Sequence, residues 1–222
     1  MSSMSVFKLD VPRHSAKIEV LSIGPDKSPG VLIGVHGRGG RAEDFASVAT
    51  RVVPAGVRVL LPQAPGQTWY PKSFMAPTSE NQPELDRALA TLEALAEKVR
   101  SSGVGNERIG WIGFSQGACL TLEHLARNPA RYAGVVGVCG GLIGPEGTAF
   151  DHAGDMEDTP VYLGGVDPDP HVAWSRIEAT AGVFERLGAR VTLERTPGAP
   201  HTVLPHHADR AASMFASLGD AS

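Results

Sequence analysis

The sequence predicts an α/β fold with a mostly parallel central sheet and helices on both faces. Two observations carry this. Short runs rich in Val, Ile and Leu alternate with longer stretches of helical periodicity along most of the chain. The short runs also lack polar alternation, as expected of strands covered on both faces. The length of 222 residues suits one domain, 1–222, with enough core to fold without a metal or disulfide.

Residues 6–23 read as antiparallel strands added at the sheet edge. Val31–His36 is the first central strand, followed by a helix over Ala42–Val53 and a strand over Val57–Leu61. Leu61–Pro83 is irregular, with five prolines and the aromatics Trp69, Tyr70 and Phe74. Loops of this length in a compact domain are more often functional than inert. Glu84–Arg100 carries Leu85, Leu89, Leu92, Leu95, Ala96 and Val99 at helical 3–4 spacing. Strands at Ile109–Gly113, Gly134–Val138, Val161–Leu163 and Arg190–Glu194 follow, with helices at Gly117–Arg127, Val172–Leu187 and Pro205–Leu218.

Charge excludes some functions. Twenty Lys and Arg face 24 Asp and Glu, for a net −4. There is no basic excess to neutralise nucleic-acid phosphates or to hold an anionic membrane. No apolar stretch approaches the length of a spanning helix. Cys119 and Cys139 form neither a disulfide framework nor a metal motif. Met1–Asp10 lacks a secretory signal, which makes the cytoplasm the expected location. A small-molecule partner is expected, with no nucleic acid and no stable membrane insertion; a homodimer is compatible with the composition.

In a parallel α/β sheet the working site lies at the carboxyl ends of the strands. Gly113-Phe114-Ser115-Gln116-Gly117 sits there and matches G-x-S-x-G between a strand and a helix. Small residues two before and two after the serine let strand and helix pass closely, and the sharp turn presents the hydroxyl. Such a hydroxyl needs a base. His201 follows the Arg190–Glu194 strand through Pro197-Gly-Ala-Pro200 and is the candidate. His124 and His152 fit less well, and His206 and His207 read as solvated residues at a helix start, with no metal expected there. The orienting acid belongs after the Val161 strand, where Asp167 and Asp169 stand two apart. In an extended segment such residues face one side, so chemistry alone leaves both open. His36-Gly-Arg-Gly-Gly40 follows the first central strand. Its Arg38 backbone N–H, with that of Gln116, is the candidate oxyanion hole. His36 reads as a residue that orients the loop. The Arg38 guanidinium reads either as solvated or as a reader of substrate carboxylates.

Together HGRGG, GFSQGA, the Thr159-Pro160 strand leading to Asp169-Pro-His-Val172, and PGAPHT resemble the phospholipase/carboxylesterase family of α/β-hydrolases, which includes acyl-protein thioesterases. The resemblance spans roughly residues 30 to 218. It implies an α/β-hydrolase fold without a large cap domain and hydrolysis of carboxylic esters, sometimes thioesters or lysophospholipids, with no cofactor. Reading forward from Thr159-Pro160, it also favours Asp169 as the acid. Ala173 stands where the family often has Pro, and Asp167-Pro168 is an addition. The segment Pro62–Phe74 differs from typical acyl-protein thioesterases and resembles a bacterial branch with HGRG and WYP. There Trp69 and Tyr70 are candidate walls of the substrate pocket.

The expected chemistry is therefore attack by Ser115 on esters of short or medium acyl chains and uncharged alcohols, with His201 as base, Asp169 orienting it, and an acyl-enzyme intermediate. A thioesterase or lysophospholipase would share these residues. A binding module on the same fold would have lost one of them. A serine peptidase on this fold would usually carry an added propeller or lid domain, for which 222 residues leave no room. A cysteine-nucleophile lactone hydrolase would need a cysteine where Ser115 stands.

Overall fold

A computed structural model describes residues 3–12 and 16–220. Among these residues eight strands form one sheet: β1 (Met4–Leu9), β2 (Ile18–Ile23), β3 (Val31–Val35), β4 (Arg58–Pro62), β5 (Ile109–Phe114), β6 (Gly134–Val138), β7 (Pro160–Asp167) and β8 (Arg190–Pro197). Their spatial order is β1-β2-β4-β3-β5-β6-β7-β8. β1 and β2 are the antiparallel edge strands, and every pairing from β4 to β8 is parallel. Residues 13–15, between β1 and β2 in sequence, lie outside the described residues.

Among the described residues five α-helices cover the sheet: α1 (Ala42–Arg51), α2 (Glu84–Ser101), α3 (Gln116–Arg127), α4 (Trp174–Arg186) and α5 (Pro205–Phe215). Leu92 and Leu95 of α2, Leu122 of α3 and Phe184 of α4 share one core with Ile33 and Trp111 of the sheet. Phe45 of α1 and Phe215 of α5 share the other with Leu32 and Ile112. Neighbouring strand residues thus enter opposite cores, so both must be apolar.

The site is positioned by topology. The chain leaves β3 toward β4 on one side, then returns past it to β5 on the other. A crevice opens where the winding direction switches, at the carboxyl ends of adjacent β3 and β5. Among the described residues no helix is long and apolar enough to cross a membrane.

Four elements depart most from the sequence reading. β7 and β8 run on to Asp167 and Pro197, which pair with each other. β8 is an edge strand that is mostly exposed or half-buried, so its polar residues conceal its length. α4 starts at Trp174, because Ala173 before it has non-helical backbone angles (φ −59°, ψ 138°) and serves as the N-cap. The last helix ends at Phe215 and tightens into a 3₁₀ turn over Ala216–Gly219.

His207 is not solvated. It is fully buried, its Nδ1 accepts the Leu204 N–H (3.3 Å), and burial lowers its pKa to about 4. Asp209 instead pairs with Arg51. His124 is buried against Trp111, and burial lowers its pKa to about 3, with the Arg100 and Arg127 charges adding to the effect. Both imidazoles stay neutral in the fold and protonate more readily in the unfolded chain. Their contribution to stability is complete above the unfolded pKa near 6.5 and is lost as pH falls toward the folded values. Urea unfolding of the wild type is therefore expected to lose stability from pH 7 to pH 5. In His124→Gln that loss should shrink by roughly 2 kcal/mol.

Candidate active site

Ser115 stands between β5 and α3 with φ +53° and ψ −122°, a strained conformation for a residue with a side chain. Its N–H is tied to Val138 O (2.9 Å), and its carbonyl accepts the first helical bond, from Cys119 N–H (3.0 Å). The flanking glycines make the turn sterically feasible. A Cβ at Gly113 would lie 2.6 Å from Ala118 Cα, and one at Gly117 would lie 2.2 Å from Val35 O and 2.4 Å from His36 O. These obstacles are backbone atoms and cannot swing aside. Gly117→Ala is expected to cost on the order of 3 kcal/mol of unfolding free energy, read as a lowered urea midpoint at unchanged slope.

His201 lies in the loop after β8. Its Nε2 is 2.9 Å from Ser115 Oγ, and its Nδ1 is 2.7 Å from Asp169 Oδ2. With Asp169 ionised, the network assigns the proton to Nδ1 and leaves Nε2 to accept from the serine hydroxyl. The imidazole packs against Phe114 (centroids 5.1 Å) and edge-on against His171 (4.8 Å). The Asp169 side chain is 1% exposed. Burial opposes its charge. The bonds from His201 and from the N–H groups of His171 (2.8 Å) and Val172 (3.1 Å) outweigh that and hold its pKa below the usual carboxylate value. Asp167 is elsewhere: it stays in the β7–β8 ladder and pairs with Arg195 (Nε–Oδ2 2.9 Å).

The His36–Gly40 loop runs against the serine; a Cβ on Gly37 would sit 3.3 Å from Ser115 Cβ. His36 is buried. Its Nδ1–H donates to Gly37 O (2.8 Å), and its Nε2 accepts Ala64 N–H (3.2 Å). Burial lowers its pKa, consistent with this neutral form. Among the described residues the N–H groups of Arg38 and Gln116 donate no hydrogen bond within the chain. Both residues line the same cleft as Ser115 and His201, of about 440 Å³.

The side chains of Arg38 and Gln116 do something the sequence did not reveal: they anchor the aromatic loop. Arg38 Nη1 and Nη2 donate to Pro71 O (2.9 Å) and Lys72 O (2.6 Å). Gln116 Oε1 accepts Trp69 N–H (3.0 Å), and its Nε2 donates to Tyr70 O (2.7 Å). Tyr70 lines the cleft. Trp69 does not, which corrects the expectation of paired pocket walls. Trp69 Nε1 donates to His36 O (2.8 Å), and the residue lines a separate cavity of about 510 Å³ bounded by Ile18, Ala64 and Ala88. Phe114 and His171 pack on His201; their signal in the sequence is that Phe114 adjoins Ser115 and His171 lies two residues from Asp169.

Cys119 lines the cleft, but burial pushes its thiol up to about 12, so it is no competing nucleophile. Cys139 Sγ, Asp169 and His201 offer ligand-type atoms within 4.8 Å of one another. Burial likewise pushes the Cys139 thiol up to about 12, so it is a protonated neighbour of the pair, poorly suited to hold a metal.

The sequence signature described as Phospholipase/Carboxylesterase matches residues 17–216. Among solved structures, the chain is similar to a phospholipase/carboxylesterase from Dyadobacter fermentans DSM 18053, with 34% identity and a TM-score of 0.85, covering 94% of this chain and 98% of that one. TT1662 from Thermus thermophilus shares the fold at 19% identity and a TM-score of 0.72, over 99% and 100% of the two chains. So does the Bacillus cereus carboxylesterase, at 18% identity and a TM-score of 0.71, over 89% and 93%. Signature and fold agree over almost the whole chain: it belongs to the phospholipase/carboxylesterase family of α/β-hydrolases and is a serine hydrolase of carboxylic esters.

Proposed function

We propose that this protein is a carboxylesterase of short- to medium-chain acyl esters in which Ser115, His201 and Asp169 act in series. The observation that carries the reading is the pair of hydrogen bonds joining Asp169 to His201 and His201 to Ser115. Ser115 Oγ attacks the ester carbonyl as His201 Nε2 takes its proton. The negative oxygen that forms is met by the Arg38 and Gln116 backbone N–H groups. Collapse expels the alcohol, which receives the proton from His201, and leaves an acyl group on Ser115. Water then attacks, again giving its proton to His201, and the acid departs as Ser115 recovers its hydrogen. Asp169 holds the tautomer and stabilises the transient imidazolium. The sum is one ester and one water to one acid and one alcohol.

The size of the cleft supports the chain-length range. It lies toward the low end of small-molecule sites, ~300–1,000 Å³, and Tyr70 and Phe74 stand along it. A series of p-nitrophenyl esters from acetate to palmitate tests this. The expected kcat/KM peaks at or below octanoate; a steady rise to palmitate would overturn the chain-length assignment.

A further inference from the structure

The charges around the cleft point to a narrower substrate class. Resting on the reading of Ser115 given above, we propose that the preferred ester carries a carboxylate near the scissile carbonyl, held by Arg38 and Lys72.

Among the described residues the only charged side chains of fixed sign lining the cleft are these two cations; no described Asp or Glu lines it. The chain as a whole has an acidic excess, net −4, so this sign runs against the composition. Most arginines of the described chain are paired with a carboxylate, among them Arg51, Arg100, Arg127 and Arg195. Among the described residues neither Arg38 nor Lys72 is. The Arg38 partners are the carbonyls of Pro71 and Lys72, which fix the guanidinium without cancelling its charge. The group sits 6.0 Å from the centroid of the Tyr70 ring, so it is tethered beside the cleft wall while remaining exposed to an incoming anion. A guanidinium immobilised in advance loses little entropy on meeting a carboxylate.

Nearby negative charge does not neutralise this. The Asp169 carboxylate lies beneath His201 at 1% exposure and is engaged by three donors. Arg38 also supplies a proposed oxyanion N–H, so a carboxylate reaching its side chain would lie only a few atoms from the reacting carbonyl. A cationic cleft in an acidic protein concentrates anions locally, an effect of roughly 10- to 100-fold on kcat/KM that falls with salt.

Two matched ester pairs test the inference and separate the two ends of the substrate. Mono-p-nitrophenyl succinate against p-nitrophenyl butyrate places the carboxylate on the acyl side. 4-Acetoxybenzoate against phenyl acetate places it on the alcohol side. At low ionic strength the anionic member of at least one pair is expected to be favoured roughly tenfold or more, with the preference shrinking at high ionic strength. It should shrink likewise in Lys72→Gln and Arg38→Gln. Reading the ratio within each pair cancels any loss common to both esters. Brisk, Ser115-dependent hydrolysis of neutral esters with no anionic preference in either pair would overturn the inference while sparing the esterase reading. So would a preference that neither substitution changes. If no ester is turned over, the esterase reading fails, and binding decides the inference alone. Calorimetric titration of Ser115→Ala should then show salt-sensitive binding of monomethyl succinate, weakened by Lys72→Gln and stronger than that of dimethyl succinate. Equal or absent binding of the two would overturn it.

Discussion

Ser115→Ala is expected to lower kcat for p-nitrophenyl ester hydrolysis by about 10⁴-fold or more while leaving the protein folded. Removing Oγ deletes the atom 2.9 Å from His201 Nε2 that would carry the acyl group. Nothing nearby replaces it, because the Cys119 thiol is held protonated by burial. The substitution is mild for the fold. Alanine meets the same positive φ that serine already bears, and the tight contacts at this turn belong to Gly113 and Gly117. Circular dichroism and Tm should stay close to wild type, so that the loss reports chemistry. Residual turnover within tenfold of wild type would mean that the serine is not the nucleophile.

The second large effect separates two carboxylates that lie two residues apart. Asp169→Asn is expected to lower kcat by roughly 10³- to 10⁴-fold, because an amide can present N–H toward His201 Nδ1 and favour the wrong tautomer. KM should change far less, since Asp169 does not line the cleft. Asp167→Asn removes only an ion pair with Arg195, whose side chains are 27% and 54% exposed. Such pairs contribute about 0–1 kcal/mol to stability, and kcat should stay within roughly threefold of wild type. The opposite pattern would assign the orienting role to Asp167.

Why the sequence left these two aspartates level is instructive. Side-chain alternation in an extended segment gives both the same direction. What separates them is tertiary: Asp167 is still within the ladder opposite Pro197 and meets Arg195 there, while the chain turns Asp169 beneath His201. Family resemblance, not chemistry, favoured Asp169 in advance. Gly134–Val138 was legible to the residue because every position is buried in one of two cores. β8 was read short because an edge strand tolerates Thr, Glu and Arg. The turn around Ser115 was legible because its steric demand is local, with glycine required where backbone meets backbone. Trp69 and Tyr70 look equivalent in sequence, yet one side chain bonds the His36 carbonyl and the other lines the cleft. The Arg38 guanidinium, expected to be solvated or to read carboxylates, is exposed, and the Pro71 and Lys72 carbonyls hold it in place with its charge unpaired. Burial of His207 was invisible because its environment comes from the fold around it, not from its neighbours in sequence.

The central claim is that an acyl group passes through Ser115. The most direct test labels the active protein with a fluorophosphonate, which phosphonylates only an activated serine, and maps the adduct by peptide mass spectrometry. One adduct is expected, on Ser115, accumulating in step with loss of esterase activity and absent from both Ser115→Ala and His201→Ala. Full activity in protein modified at Ser115, or inactivation that tracks an adduct on another residue, would contradict it.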